Sequence, residues 1–330
     1  MIRYKEISFL YKQIRSWFDN NGFIEVRTNS MAESPGFDGY VVPFSTTLKN
    51  RNTSKQLHFC SSPEFEMKRI LHQCGNDAKI YQITKAFRQD ALDSIHSPEF
   101  NMLEWYKTGK NYLDSMSDFE SLFKHVSSNL NNSDFFTYQG RKININRNFE
   151  RIRVRDIFLD KTGIDLDQVQ DLSDFHKAAK RIGENHIAEG SSWDTLFFIL
   201  FLDKVERELA ALDRPVILYD YPVQIASLAR NCPAKPWYCE RFECYVSGIE
   251  LCNGYSELTD YDEHIRRFEE MNRLREKLGV DAYPLPLRLL EVIKAGMPAS
   301  TGVALGLDRL CMLMLDCQDI SEIIDLDVFR

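Results

Sequence analysis

Three stretches of the chain concentrate side chains suited to phosphate, cations and close backbone approach. FRQDALDSIHSPEF, residues 87–100, sets Arg88 at the end of an apolar run, followed by a polar loop with His96 and a return to Phe100. An arginine projecting from such a hairpin can grip a phosphate through parallel N–H donors and stabilise the charge of a pentavalent transition state. Alone, the segment reads first as a solvated hairpin with a surface arginine. GIELCNGYSEL, residues 248–258, collects Glu250, Asn253, Tyr255 and Glu257, with Glu243 upstream. Strand alternation puts residues 253, 255 and 257 on one face and Glu250 on the other, unless Gly254 or a bulge intervenes. Carboxylates this dense on core-like sequence are costly unless they meet a cation. Mg²⁺ on ATP phosphates and a substrate ammonium are the natural candidates; an exposed sheet face is the competing reading. In TGVALGLDRL, residues 301–310, Gly302 and Gly306 permit close approach to a ligand, and Asp308-Arg309 opens a helix. A helix start bearing an arginine favours phosphate, although short Gly-rich segments are more often turns.

These residues need elements to hold them. Ile7, Tyr11, Ile14 and Phe18 recur at helical spacing, and Asn21-Gly22 ends that helix. Residues 23–26 and 57–60 read as short strands, and residues 37–48 as extended with a turn at Pro43. Pro63 stands where a first helical turn tolerates it, with Met67, Ile70 and Leu71 as the apolar face. Residues 80–87 and 100–106 form a long antiparallel hairpin. Residues 110–190 read as a variable, mostly helical and polar region. A helix over 197–212, a strand over 216–221, strands from 242 to 257, a helix over 262–278 and a Gly-rich strand running into a helix at 302–315 complete the chain. No repeat or linker divides it, so residues 1–330 read as a single mixed domain.

Composition bounds the function. With 44% hydrophobic and 27% charged residues the chain is ordinary for a soluble globular protein. It has no membrane-span-length apolar run and no signal peptide. Its eight cysteines include no C-x-x-C pair, which favours reduced thiols and a cytoplasmic location over a zinc or disulfide framework. The net charge of −8 argues against autonomous RNA binding.

In order and wording together these segments are far more specific. FRQD…HSPEFNMLEWY resembles motif 2 of the class II aminoacyl-tRNA synthetases, and TGVALGLDR resembles motif 3. GIELCNGYSELTD and SSPEFEMKRIL are similar to the lysyl-tRNA synthetase forms of the amino-acid site. The similarity runs from about Ser8 to Leu315, interrupted over 110–190. The chain most resembles the elongation factor P–lysine ligase family, truncated paralogues of lysyl-tRNA synthetase without the anticodon-binding domain. The resemblance implies an α+β fold, the class II catalytic domain, with a six- to seven-stranded antiparallel sheet flanked by helices and a homodimer formed through motif 1. It implies Arg88 on the α-phosphate and Arg309 on the γ-phosphate, with Glu243 and Glu250 on Mg²⁺. Gln89, Asp90, His96, Ser97, Leu251 through its main chain, and Gly306 would complete the ATP site. Ser62, Pro63, Glu64, Glu104, Tyr106, Asn253, Tyr255 and Glu257 would line a pocket whose carboxylates and phenols suit a long cationic side chain.

The wording departs from the family at several positions. Arg88-Gln89-Asp90 replaces Arg-Asn-Glu, Ser97 replaces the usual asparagine, Asn29 stands in place of a motif 1 proline, and residues 91–95 contain no cation. Ala304 stands where lysyl-tRNA synthetases carry glycine and the ligases alanine. The implied activity is ATP-dependent activation of (R)-β-lysine or lysine as an adenylate and transfer to a lysine of elongation factor P, without stable tRNA binding. The alternatives are a minimal lysyl-tRNA synthetase charging tRNA and a catalytically weak regulatory paralogue.

Overall fold

The computed structural model describes residues 2–329 except 38, 50, 51, 90, 91, 132, 185, 186, 189 and 227. Its main sheet is built from β1 (Ile24–Glu25), β2 (Lys79–Phe87), β3 (Glu99–Thr108), β4 (Glu150–Arg153), β5 (Val216–Pro222), β6 (Lys235–Val246), β7 (Ile249–Ser256) and β8 (Ser300–Gly306). They are hydrogen-bonded in the order β1-β2-β3-β8-β7-β6-β5-β4, with Asn231–Cys232 added alongside β6. The six central strands are antiparallel. The edges differ from the all-antiparallel expectation, because β1 joins β2 and β4 joins β5 in parallel. Both edge strands are short and enter from a helix or a distant loop, so neither is held to a hairpin's antiparallel return. The expected hairpin is β2–β3, paired from Lys79↔Lys107 to Phe87↔Glu99.

Helices cover the sheet: α1 (Tyr4–Asn20), α2 (Glu64–Cys74), α3 (Tyr112–Asn131), α4 (Val154–Thr162), α5 (Leu172–Arg181), α6 (Trp193–Leu200), α7 (Tyr261–Lys277), α8 (Leu287–Lys294) and α9 (Leu307–Met314). The α1 stripe buries Leu10, Ile14, Trp17 and Phe18, and Phe18 stacks on Tyr81 of β2 at 4.2 Å between ring centroids. Gly22 then turns the chain at φ +74°, where a side chain would be strained. The 110–190 region contributes more than the polar composition suggested. Met116, Phe119, Leu122, Phe123 and Val126 of α3 are fully buried against the sheet, an apolar stripe at helical period that the intervening polar residues obscure. That region also supplies β4. A second apolar cluster joins α4, α5 and α6 to β5 and β6, and a third lies among α2, α7 and α8.

All eight cysteines are free thiols. Among the described residues no helix is long and apolar enough to cross a membrane.

Candidate active site

The acidic stretch is brought into one surface by a bulge. Along β6 and β7 the register runs Arg241↔Tyr255, Glu243↔Asn253 and Cys244↔Cys252, then steps to Tyr245↔Glu250. Leu251 is the extra residue, so alternation is reset and Glu250 turns to the face shared by Asn253 and Tyr255. Sheet register extends the rows: Tyr255 and Asn253 lie beside Gly302 and Ala304 of β8, which lie beside Tyr106 and Glu104 of β3. Four strands thereby present Arg241, Tyr255, Gly302 and Tyr106 in one rung, and Glu243, Asn253, Ala304 and Glu104 in the next.

These rungs floor a cavity of about 370 Å³, walled also by Ser61, Ser62, Glu64, Arg88, Tyr245 and Glu250. At its deep end the groups are tightly paired. Ser62 Oγ donates to Glu104 at 2.8 Å, Tyr106 OH donates to the other Glu104 oxygen at 2.5 Å, and Tyr255 OH donates to Glu64 at 2.5 Å. Burial, then the neighbouring Glu64, pushes Glu104 up to about 7. Lys68, one helical turn along α2 from Glu64, is fully buried with its Nζ 2.5 Å from both Glu64 and Glu257. Burial opposes its ammonium, but Glu257 and Glu64 more than offset this and hold Lys68 above the ordinary lysine range. Lys68 is a site residue that sequence reasoning missed; the Glu64–Lys68 spacing of four was its signal. A Cβ on Gly302 would run into the Tyr106 ring and the Glu257 carboxylate, so the bare backbone there lets these groups approach.

Arg88 lies where this cavity meets a second, smaller one of about 80 Å³, whose walls include His96, Ser97, Phe100, Leu251, Gly306, Arg309 and Ile320. The Arg88 guanidinium sits 5.3 Å from the Phe100 ring centroid and makes one long contact, 3.5 Å, to the Ser61 carbonyl. Its Nε is buried and lacks a partner among the described residues. Arg309 donates to the Ile95 and Glu250 carbonyls at 3.2 and 3.0 Å. Asp93, also missed, accepts from the Ile95 and His96 amides and from the His96 ring, each at 2.8 Å, and so fixes the loop.

For a metal, two carboxylates converge. Glu243 accepts from Tyr221, Tyr245 and Arg241 at 2.6, 2.7 and 2.7 Å, whereas no described side chain donates to Glu250. Burial, then Glu243, raises Glu250 to about 7 against the pull of Arg309, Arg241 and Arg88. Among the described residues no trio of metal-ligating side chains gathers. The donor set fits Mg²⁺, which takes one or two carboxylates and completes its shell with phosphate oxygens and water.

Other expected site residues stand off these walls. Gln89 donates to the Val42 and Pro43 carbonyls at 3.1 and 2.9 Å, tying the loop to residues 42–43. Pro63 precedes α2 and borders a different cleft, with Met31 and Leu285. Glu257 lies behind the cavity, on Lys68. Asp90 falls outside the described residues.

A family model described as tRNA synthetases class II (D, K and N) matches residues 4–326. Proteins named elongation factor P–(R)-β-lysine ligase are similar over almost the whole chain. That of Yersinia enterocolitica is 34% identical over 321 residues, covering 96% of this chain and 92% of its own. That of Enterobacter sp. strain 638 is 34% identical over 322 residues, with coverage of 96% and 92%. That of Edwardsiella ictaluri is 34% identical over 319 residues, with the same coverage.

Proposed function

The chain belongs to the class II tRNA synthetase family of the D, K and N type, in its elongation factor P–(R)-β-lysine ligase branch, and we propose that it acts as such a ligase. In the first step a carboxylate oxygen of (R)-β-lysine attacks the α-phosphorus of ATP; the bond to pyrophosphate breaks and an aminoacyl-adenylate remains. In the second, the amine of an elongation factor P lysine attacks the adenylate carbonyl. A C–N bond forms, the bond to AMP breaks, and the acceptor's protons pass to solvent.

The observation that carries this reading is Arg88, an arginine with an unmatched buried donor standing between the two cavities. Arg88 would take the α-phosphate and Arg309 the γ-phosphate, both stabilising charge that grows in the transition state. His96, Ser97, Gly306 and the main chain at Leu251 would frame the nucleotide, with Gln89 and Asp90 holding the loop. Glu243 and Glu250 would hold Mg²⁺, which neutralises phosphate charge when bound. Ser62, Glu64, Glu104, Tyr106, Asn253 and Tyr255 would receive the substrate's ammonium groups, with Glu257 acting through Lys68. We take residues 1–330 as one catalytic unit working as a homodimer, without stable tRNA binding. Mass spectrometry of purified elongation factor P, incubated with the protein, Mg·ATP and either lysine isomer, tests the reading. Addition of one β-lysyl unit is expected. Unmodified acceptor alongside active pyrophosphate exchange would reject the transfer, and absent exchange would reject the activation.

A further inference from the structure

One carboxylate on the central cavity has no part in that scheme. Beyond Leu200, helix α6 does not continue as an α-helix: residues Phe201–Glu206 form a π turn before Arg207–Leu209. At α spacing, the stripe begun by residues 198, 201 and 202 would continue through 205. The π turn holds about one residue more per loop. Val205 is accordingly rotated into the core, and Glu206 takes its place in the stripe. Phe198, Phe201, Leu202 and Glu206 all line the cavity. Phe198 is 41% and Leu202 55% exposed, so the cavity opens to solvent along this stripe. An outer cleft of about 400 Å³ joins the cavity at Phe37, Phe198 and Arg241, away from the nucleotide side. No described side chain donates to the Glu206 carboxylate.

We propose that this stripe is the acceptor groove: a lysine side chain of the partner protein enters past Phe198 and Leu202, and its ammonium is held by Glu206. The chemistry is complementary at both ends, with apolar walls for an aliphatic stem and, for a primary ammonium, a carboxylate that feels Glu243 and Arg309 but has no hydrogen-bond donor among the described residues. The nucleotide is accounted for by the cavity around Arg309, and the amino acid by the paired groups around Glu104. The third reactant requires a third approach, and the groove supplies it. The inference rests on the ligase reading.

The test separates the two half-reactions, using the full chain with Mg·ATP and (R)-β-lysine. Hydroxylamine, a small amine uncharged near neutral pH, reports adenylate formation as hydroxamate; elongation factor P reports transfer. Glu206→Gln is expected to raise KM for elongation factor P about 10- to 100-fold, the worth of a hydrogen bond to a charged group, with hydroxamate formation unchanged. Glu206→Asp is expected to recover part of the loss, and Leu202→Ala to raise the same KM alone. A Glu206→Gln enzyme with wild-type KM for elongation factor P would overturn the groove. So would a parallel fall in hydroxamate, or a raised KM for β-lysine, which would move Glu206 to the metal or to the amino acid. If the wild-type protein forms hydroxamate but leaves elongation factor P unmodified, the ligase reading falls first and the groove with it.

Discussion

Arg88 rests on Phe100 with a single long contact to a carbonyl, a loose hold for a guanidinium whose Nε is shielded from water. Such a group is poised for an anionic ligand. Arg88→Ala is therefore expected to lower pyrophosphate exchange by about 100- to 1,000-fold, the usual loss for one preorganised donor at developing charge; exchange near the wild-type rate would remove Arg88 from the α-phosphate. Glu250 offers a pH signature. Its folded value of about 7 means that it is largely protonated below that pH in the free protein, whereas binding Mg²⁺ requires the carboxylate. Binding of Mg·ATP should thus release a proton below about pH 7 and weaken as pH falls, with the release fading at higher pH. Calorimetry in buffers of different ionisation enthalpy measures this, and Glu250→Gln should abolish it. Ala304 borders both cavities, between Asn253 of β7 and Glu104 of β3. A single methyl in such a wall is worth about 10- to 200-fold in discrimination. Ala304→Gly is expected to shift kcat/KM from (R)-β-lysine toward α-lysine; an unchanged ratio would leave the β preference to other walls.

At the scale of elements, the site depends on how neighbouring segments are pinned. Residues 39–43 run between the outer cleft and the loop after Arg88. Arg275 of α7, only 2% exposed, donates to the carbonyls of Gly39, Val41 and Asp281, and Tyr283 OH donates to Val41. Gln89, the residue after Arg88, holds the other end of this segment through the Val42 and Pro43 carbonyls. Arg275→Met would remove the charged donor from these part-buried carbonyls, of which Val41 alone keeps Tyr283, at about 1.5–3 kcal/mol for each hydrogen bond lost. The urea midpoint should fall by an amount equivalent to about 3 kcal/mol or more at constant slope, and a shift below about 1 kcal/mol would show that the carbonyls find other donors. The bulge at Leu251 is the other element-scale device, since without its extra residue Glu250 would face away from Glu243.

The whole molecule carries a net charge of −8. Gripping a tRNA by its phosphates needs a cationic surface, because counterion release supplies most of the non-specific affinity. Acid-gel assays with total tRNA and lysine are expected to show little acylation even at high protein concentration, and robust charging would favour a minimal lysyl-tRNA synthetase instead. The three confluent cavities also suit an enzyme that must seat a nucleotide, an amino acid and a protein side chain together.

What the residues alone made legible was local. The β2–β3 hairpin and the strand-to-helix passage at 300–314 follow from periodicity, turn chemistry and motif wording, all carried by neighbouring residues, and the proposed phosphate roles of Arg88 and Arg309 rest on the same wording. Pairing decided the rest. The parity of Glu250 was open in the sequence, because a bulge is a property of two strands and appears only once β6 lies beside β7. Lys68 was not singled out in the sequence; its burial depends on Glu257, which is remote in sequence and arrives with β7 and its continuation. The α3 stripe was obscured by polar neighbours until the sheet covered it, and Glu206 enters the cavity only because a π turn rotates it there. Helical period and motif wording act over a few residues, whereas the candidate site is assembled by register across four strands.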